Sequence, residues 1–150
     1  MKKWLALILI GALVLGLMYW GSGSWIIAAK LGGGYLLGLI ILIADENWLV
    51  NKYTVSARPQ LITRSPIFLV SFVVLGLYML SASGSVIGMG IILGMATSYV
   101  LEVLLLRGRP DLLSDRFLSG TGYNLDRSGA QWMVWGMILV LVALITLVVI

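Results

Sequence analysis

The chain has 150 residues, 61% of them hydrophobic and 11% charged, against about 45–50% apolar and about 25% charged in soluble domains. A water-facing fold of this composition would expose large apolar patches and aggregate, so the sequence reads as a single all-α domain, 1–150, with a lipid bilayer as its main solvent. Ten Lys and Arg against six Asp and Glu give a net charge of +4, with no Cys and no His, which excludes disulfides, thiol redox chemistry, Cys- or His-ligated metals and His-based acid–base catalysis.

Five apolar stretches approach the roughly 20 residues that cross a hydrocarbon core. The first, 4–20, is "WLALILIGALVLGLMYW"; it follows Lys2 and Lys3 and has a Trp at each end, as interface anchors do. A basic start, an apolar run and "GSGS" resemble a secretory signal, but no small-x-small cleavage site closes the run, and it is read as a retained helix. The second stretch, 25–47, admits two frames. Starting at Trp25 leaves Lys30 close to the outer edge, where its stem reaches water. Starting at Leu31 buries Asp45, Glu46 and Asn47, at about 2.5–3.5 kcal/mol for a mid-membrane charge. The first frame is adopted, with Asp45 and Glu46 at the inner boundary and Trp48 and Tyr53 at the interface.

The third stretch, 66–82, opens on Pro66, and proline at a first helical position loses no hydrogen bond. "SGS" turns the chain into the fourth, 86–106, which carries Glu102. A polar segment follows, with "RGRPDLL" and "GTGYNLDRSG", and its turn-rich composition predicts a loop. The fifth stretch is 132–150. The loops 48–65 and 107–131 hold Lys52, Arg58, Arg64, Arg107, Arg109, Arg116 and Arg127, whereas the turns on the other side carry no charge. By the positive-inside rule these loops are cytoplasmic. The expectation is a five-helix bundle in the plasma or inner membrane, N-terminus in and C-terminus out.

"GYLLGLIILIADE" (34–46) and "GIILGMATSYVLE" (90–102) share one pattern: Gly, three residues, Gly, seven residues, Glu. Residues four apart share a helix face, so Gly34, Gly38 and Glu46 lie on one stripe, and Gly90, Gly94, Ser98 and Glu102 on another. Small-xxx-small stripes let helix backbones approach closely in lipid, and a face turned to protein is where a membrane carboxylate is best tolerated. Each stripe is followed by a related phrase, "RPQLIT" or "RPDLLS", which suggests two tandem hairpins as a degenerate parallel repeat. Glu102 is expected to pair with Arg107 or Arg109 beyond its helix end, and Asp45 and Glu46 to be solvated at theirs.

No phosphate-binding loop, dinucleotide fingerprint, nucleophile elbow or metalloprotease motif is present. Asp111, Asp115 and Asp126 lack Ca-loop spacing and alternate with arginines, the pattern of a charge-balanced loop, so no metal or other cofactor is expected. The basic residues are scattered singly, and no nucleic-acid surface is expected. Three functions remain. The first is a non-catalytic packing or assembly subunit that associates with itself or another membrane protein, with Arg58, Arg64, Arg107, Arg109 and Arg116 contacting lipid phosphate or a partner. The second is a small transporter or channel subunit in which Glu46, Glu102 and Asp45 handle a proton or cation. The third is an inner-leaflet enzyme using Asp111, Asp115 or Glu102.

Overall fold

The computed structural model of this protein describes residues 2–46, 62–82, 84–118, 121 and 124–149. Among these residues there is no strand. The chain forms α1 (Lys2–Ser22), α2 (Trp25–Ala44), a 3-10 turn (Ile62–Arg64), α3 (Pro66–Ser81), α4 (Val86–Leu106), α5 (Pro110–Phe117) and α6 (Arg127–Val149). Helices α2, α4 and α6 are long and apolar enough to cross a membrane; α3 and the apolar part of α1 are shorter.

The helix limits follow from local chemistry. Gly23 (φ 61°) and Gly84 (φ 59°) make the turns before α2 and α4, in the left-handed region that glycine enters without steric cost. Ser65 accepts a hydrogen bond from Phe68 N at 3.3 Å ahead of Pro66, and Ser85 accepts one from Gly88 N at 3.2 Å. Both satisfy otherwise orphaned first-turn donors. Helix α2 ends as regular helix at Ala44, before the expected 47, and Asp45 and Glu46 continue in a wider turn. Helix α6 starts at Arg127 rather than Trp132, because the Asp126 side chain accepts from Gly129 N at 2.7 Å and caps it.

Helix α5 differs from the expected loop. Pro110 sits in its first turn, Leu113 and Phe117 are buried, and Asp111 and Asp115 face outward. That i, i+4 division makes the segment amphipathic. The polar composition hid two apolar residues at helical spacing, enough to dock a short helix onto an existing core but not to build one.

Helix α4 is the axis of the bundle, packing against α1, α2, α3, α5 and α6. Its Leu93, Tyr99 and Val103 meet a core that includes Tyr35, Phe72, Phe117 and Leu144. The Tyr99 ring lies edge-on to Phe72 at 5.5 Å and to Phe117 at 6.4 Å, a favoured aromatic geometry. Helix α1 docks on α2 through Tyr35, whose hydroxyl donates to Leu7 O at 3.1 Å, and Gly11 lies under its ring.

The closest packing is between α2 and α4, which run parallel: Gly34 meets Ile87 and Gly90, and Gly38 meets Ile91, one turn further along both helices. A Cβ on Gly34 would collide with the Ile87 carbonyl oxygen, and one on Gly38 with that of Ile91. From the other helix, a Cβ on Gly90 would strike the Leu31 carbonyl oxygen, and one on Gly94 that of Tyr35. The obstacles are backbone atoms and cannot rotate aside. Because a Cβ would replace one glycine hydrogen, each glycine aims a Cα–H at a carbonyl oxygen of the partner helix, a weak but recurring contact at helix interfaces.

Gly34→Ala, Gly38→Ala, Gly90→Ala and Gly94→Ala are each expected to destabilise the protein by roughly 1–3 kcal/mol, the usual cost of overpacking. This would outweigh the ~1 kcal/mol that alanine gains over glycine within a helix. Gly33→Ala and Gly136→Ala, where a Cβ meets open space, should be neutral or stabilising. Thermal unfolding in one detergent checks this; equal effects at Gly33 and Gly34 would contradict it.

Candidate functional site

The polar centre lies where α2 and α4 end. Parallel packing of the glycine stripes carries Glu46 and Glu102 to the same end of the pair. Two arginines meet them there. Arg64 closes the 3-10 turn before α3 and is fully buried. Its Nε donates to Glu102 Oε2 at 2.8 Å, and its Nη2 lies 3.6 Å from Glu46 Oε2. Arg116, on α5, pairs with Glu46 through Nη2 and with Glu102 through Nε. Each arginine therefore reaches both glutamates. The side chains of Arg64 and Glu102 are 1% and 6% exposed, those of Arg116 and Glu46 33% and 40%, so the cluster has a dry side and a wet side.

Asp45 belongs to the same centre. It is 1% exposed; its Oδ2 accepts from Thr63 N at 3.0 Å and also from the Thr63 hydroxyl. Thr63 O in turn accepts from the Tyr99 hydroxyl at 2.8 Å. This chain of bonds fixes the 3-10 turn, and the turn aims Arg64 inward. Asp45 Oδ1 and Arg64 Nη1 are buried without a hydrogen-bond partner among the described residues. Burial pushes the Arg64 guanidinium below the usual arginine value, opposed first by the Glu46 carboxylate; arginine starts so high that it stays charged.

The centre thus gathers Asp45, Glu46, Glu102, Arg64 and Arg116. Arg107 and Arg109, the expected partners of Glu102, are exposed and joined to no carboxylate among the described residues. Five residues of helix turn through about 500°, so a side chain at 107 leaves α4 about 140° away from Glu102. Asp45 is buried rather than solvated, and Arg58 lies outside the described residues. Gly34, Gly38, Gly90 and Gly94 line the α2–α4 contact, and Ser98 is buried one turn beyond Gly94. Thr63, Tyr99 and Ser114 were not anticipated. Ser114 stitches α5 to the start of α6, accepting from Leu125 N at 2.7 Å and donating to Pro110 O at 2.8 Å. A polar residue within an apolar helix was the available signal for Tyr99; nothing local marked Thr63.

Chemically, the cluster sets three carboxylates against two guanidiniums. Glu46 and Glu102, the candidate proton- or cation-handling glutamates, are both engaged by arginines. No group of His, Cys, Asp or Glu among the described residues is arranged to hold a metal ion. A small cavity between α3, α4 and α6, lined by Phe72, Ala96, Tyr99 and Met137, has about 30 Å³ and an apolar wall. No known protein family, curated protein or solved structure matches this chain.

Arg64→Ala takes one of two guanidiniums from Glu46 and from the buried Glu102, and is expected to cost roughly 3–5 kcal/mol, the range for breaking a buried pair. Arg116→Ala should cost less, since water screens a partly exposed arginine, and Arg107→Ala should be silent. Arg64→Met combined with Glu102→Met leaves the Arg116–Glu46 pair intact. The double variant should therefore lose less than the sum of the single losses when denaturant unfolding is compared across the cycle. Strict additivity would dismiss the cluster as a structural unit.

Proposed function

We propose that this chain is a multi-pass membrane protein with five spans, its N-terminus cytoplasmic and C-terminus outside, and that it serves as a non-catalytic packing or assembly subunit in the plasma or inner membrane. One observation carries the reading: the groups that would do chemistry or transport are spent on one another. The glycine faces are packed against each other, and Glu46 and Glu102 are held by Arg64 and Arg116. What remains to meet the surroundings is an apolar lateral surface. Helix α6 is one contributor, with only 11% of its span buried and with Trp132, Trp135, Leu139 and Val142 exposed.

The parallel direction of α2 and α4 supports the topology, since two parallel helices joined through α3 need α3 to cross back. The distribution of Lys and Arg supports the sidedness. The shorter α3 fits a span if the bilayer thins locally or its flanking residues reach outward. On this reading the centre lies at the cytoplasmic surface, where charged groups find water most easily, and the exposed Arg107 and Arg109 face lipid phosphates or a partner.

A second reading, a small transporter or channel subunit, rests on Asp45. A buried carboxylate with one oxygen unpartnered among the described residues is a place where a proton or cation would be felt.

The chain has no native cysteine, so introduced ones report cleanly. Ser24→Cys should react with a membrane-impermeant maleimide in intact cells, and Thr121→Cys only after permeabilisation. Gly136→Cys on the open face of α6 should give a discrete disulfide-linked dimer or a crosslink to one other membrane protein. A strictly monomeric protein that dissipates a proton or potassium gradient in liposomes, and loses that flux in Asp45→Asn, would replace the assembly reading with the transport one.

A further inference from the structure

At the opposite end of the α2–α4 pair from the charge centre, a surface groove opens between α2 and the start of α4. Trp25, Ile26, Lys30, Gly33, Leu37 and Ile87 line it, and this open groove has a volume of about 580 Å³, within the roughly 300–1,000 Å³ of ligand-binding clefts. The wall is almost wholly apolar, and Lys30 is the charged residue on it.

We propose that this groove binds a membrane phospholipid of net negative charge, its phosphate on Lys30 and one acyl chain along the wall formed by Gly33, Leu37 and Ile87. The inference rests on the membrane reading above, because the occupant is drawn from the bilayer.

Charge carries the first part. Lys30 is exposed and has no carboxylate partner among the described residues. All six carboxylates of the chain are Asp45, Glu46, Glu102, Asp111, Asp115 and Asp126. Asp45 and Glu46 follow the far end of α2, Glu102 lies in the last turns of α4, and α5 holds Asp111 and Asp115 just beyond. Asp126 is brought beside α5 by the bond from Leu125 N to Ser114. No Asp or Glu side chain therefore stands at the Lys30 end, and a lipid phosphate is the anion that a bilayer offers there. Shape carries the second part. A side chain added at Gly33 would meet nothing within 4 Å, so the wall there is bare backbone. The tight α2–α4 contact at Gly34 and Ile87 supplies the floor. Trp25 stands at the mouth, with Tyr19 edge-on to it at 5.4 Å, the kind of aromatic pair found at headgroup depth.

The test uses the full-length protein in nanodiscs of equimolar palmitoyl-oleoyl phosphatidylglycerol and phosphatidylcholine, with native mass spectrometry reading the retained lipid. The wild type should retain phosphatidylglycerol preferentially. Lys30→Gln should lower the ratio of the two lipids about fivefold, the factor that corresponds to roughly 1 kcal/mol per basic residue at an anionic surface. Gly33→Leu fills the groove and should reduce retention of both lipids, while Gly16→Leu on α1, where an added side chain also meets nothing within 4 Å, should change neither. Both test sites are exposed, and unchanged thermal unfolding would confirm that the variants fold. An embedded, folded protein whose lipid retention ignores both Lys30→Gln and Gly33→Leu overturns the site alone. A protein that alkaline carbonate strips from membranes overturns the membrane reading and the site with it.

Discussion

Everything in this structure hangs on the backbone-to-backbone contact of α2 and α4. Four glycines let two carbonyl-bearing surfaces meet without side chains between them, and this contact fixes the relative height of the two helices to within a turn. Once that height is set, Glu46 and Glu102 must arrive together, because each lies twelve residues beyond the first glycine of its stripe. Two carboxylates held side by side in a partly dry setting repel each other. The arginines follow from that constraint: without Arg64 and Arg116, the packing that holds the bundle together would be opposed by its own charges.

The charge centre in turn decides how the rest of the chain is tied down. Arg64 sits at the entrance to α3 and Arg116 on α5, so both elements are fastened to the ends of α2 and α4 through the same pair of acids. A buried ion pair is weak evidence for stability, since desolvation costs several kcal/mol per ion. It is better evidence for specificity. An apolar contact would let α5 slide along the bundle, whereas a guanidinium that must reach two carboxylates holds it at one position. The Asp45–Thr63–Tyr99 chain does the same for the 3-10 turn, linking the end of α2 to the middle of the core.

Helix content was legible because long apolar stretches leave few alternatives, and the starts of α3 and α4 were marked by Pro66 and the "SGS" turn, signals that act locally. The glycine stripes were legible as packing faces, but not that they would pack on each other, since hydropathy carries no record of which helices are neighbours. The partners of Glu102 illustrate the difference. Arg107 is near in sequence but leaves the helix on another face; Arg64 is 38 residues away and near only after α3 has returned beside α4. Helix α5 was hidden for another reason: the apolar part of its buried face is two residues, Leu113 and Phe117, too few for periodicity to register above the surrounding Asp and Arg.

The α2–α4 contact has an internal order that neither helix has alone. Gly34 faces the carbonyl of Ile87, and Gly90 that of Leu31; Gly38 faces Ile91, and Gly94 faces Tyr35. Every contact reappears with the two helices exchanged and the numbers shifted by 56, the same shift that separates Glu46 from Glu102. The two helices are therefore related by a quasi-two-fold axis running between them, and the arginines respect it in that each reaches both acids. The exceptions fall where other elements attach. Tyr35 corresponds to Ile91, and the tyrosine hydroxyl is what receives α1, through Leu7. Asp45 corresponds to Leu101, and the aspartate is what holds the 3-10 turn, through Thr63. A symmetric pair would present two equivalent docking places for α1 and two for the turn. Replacing one member of each pair with a residue that can hydrogen-bond leaves a single place for each, so a near-symmetric core can still specify one asymmetric chain path.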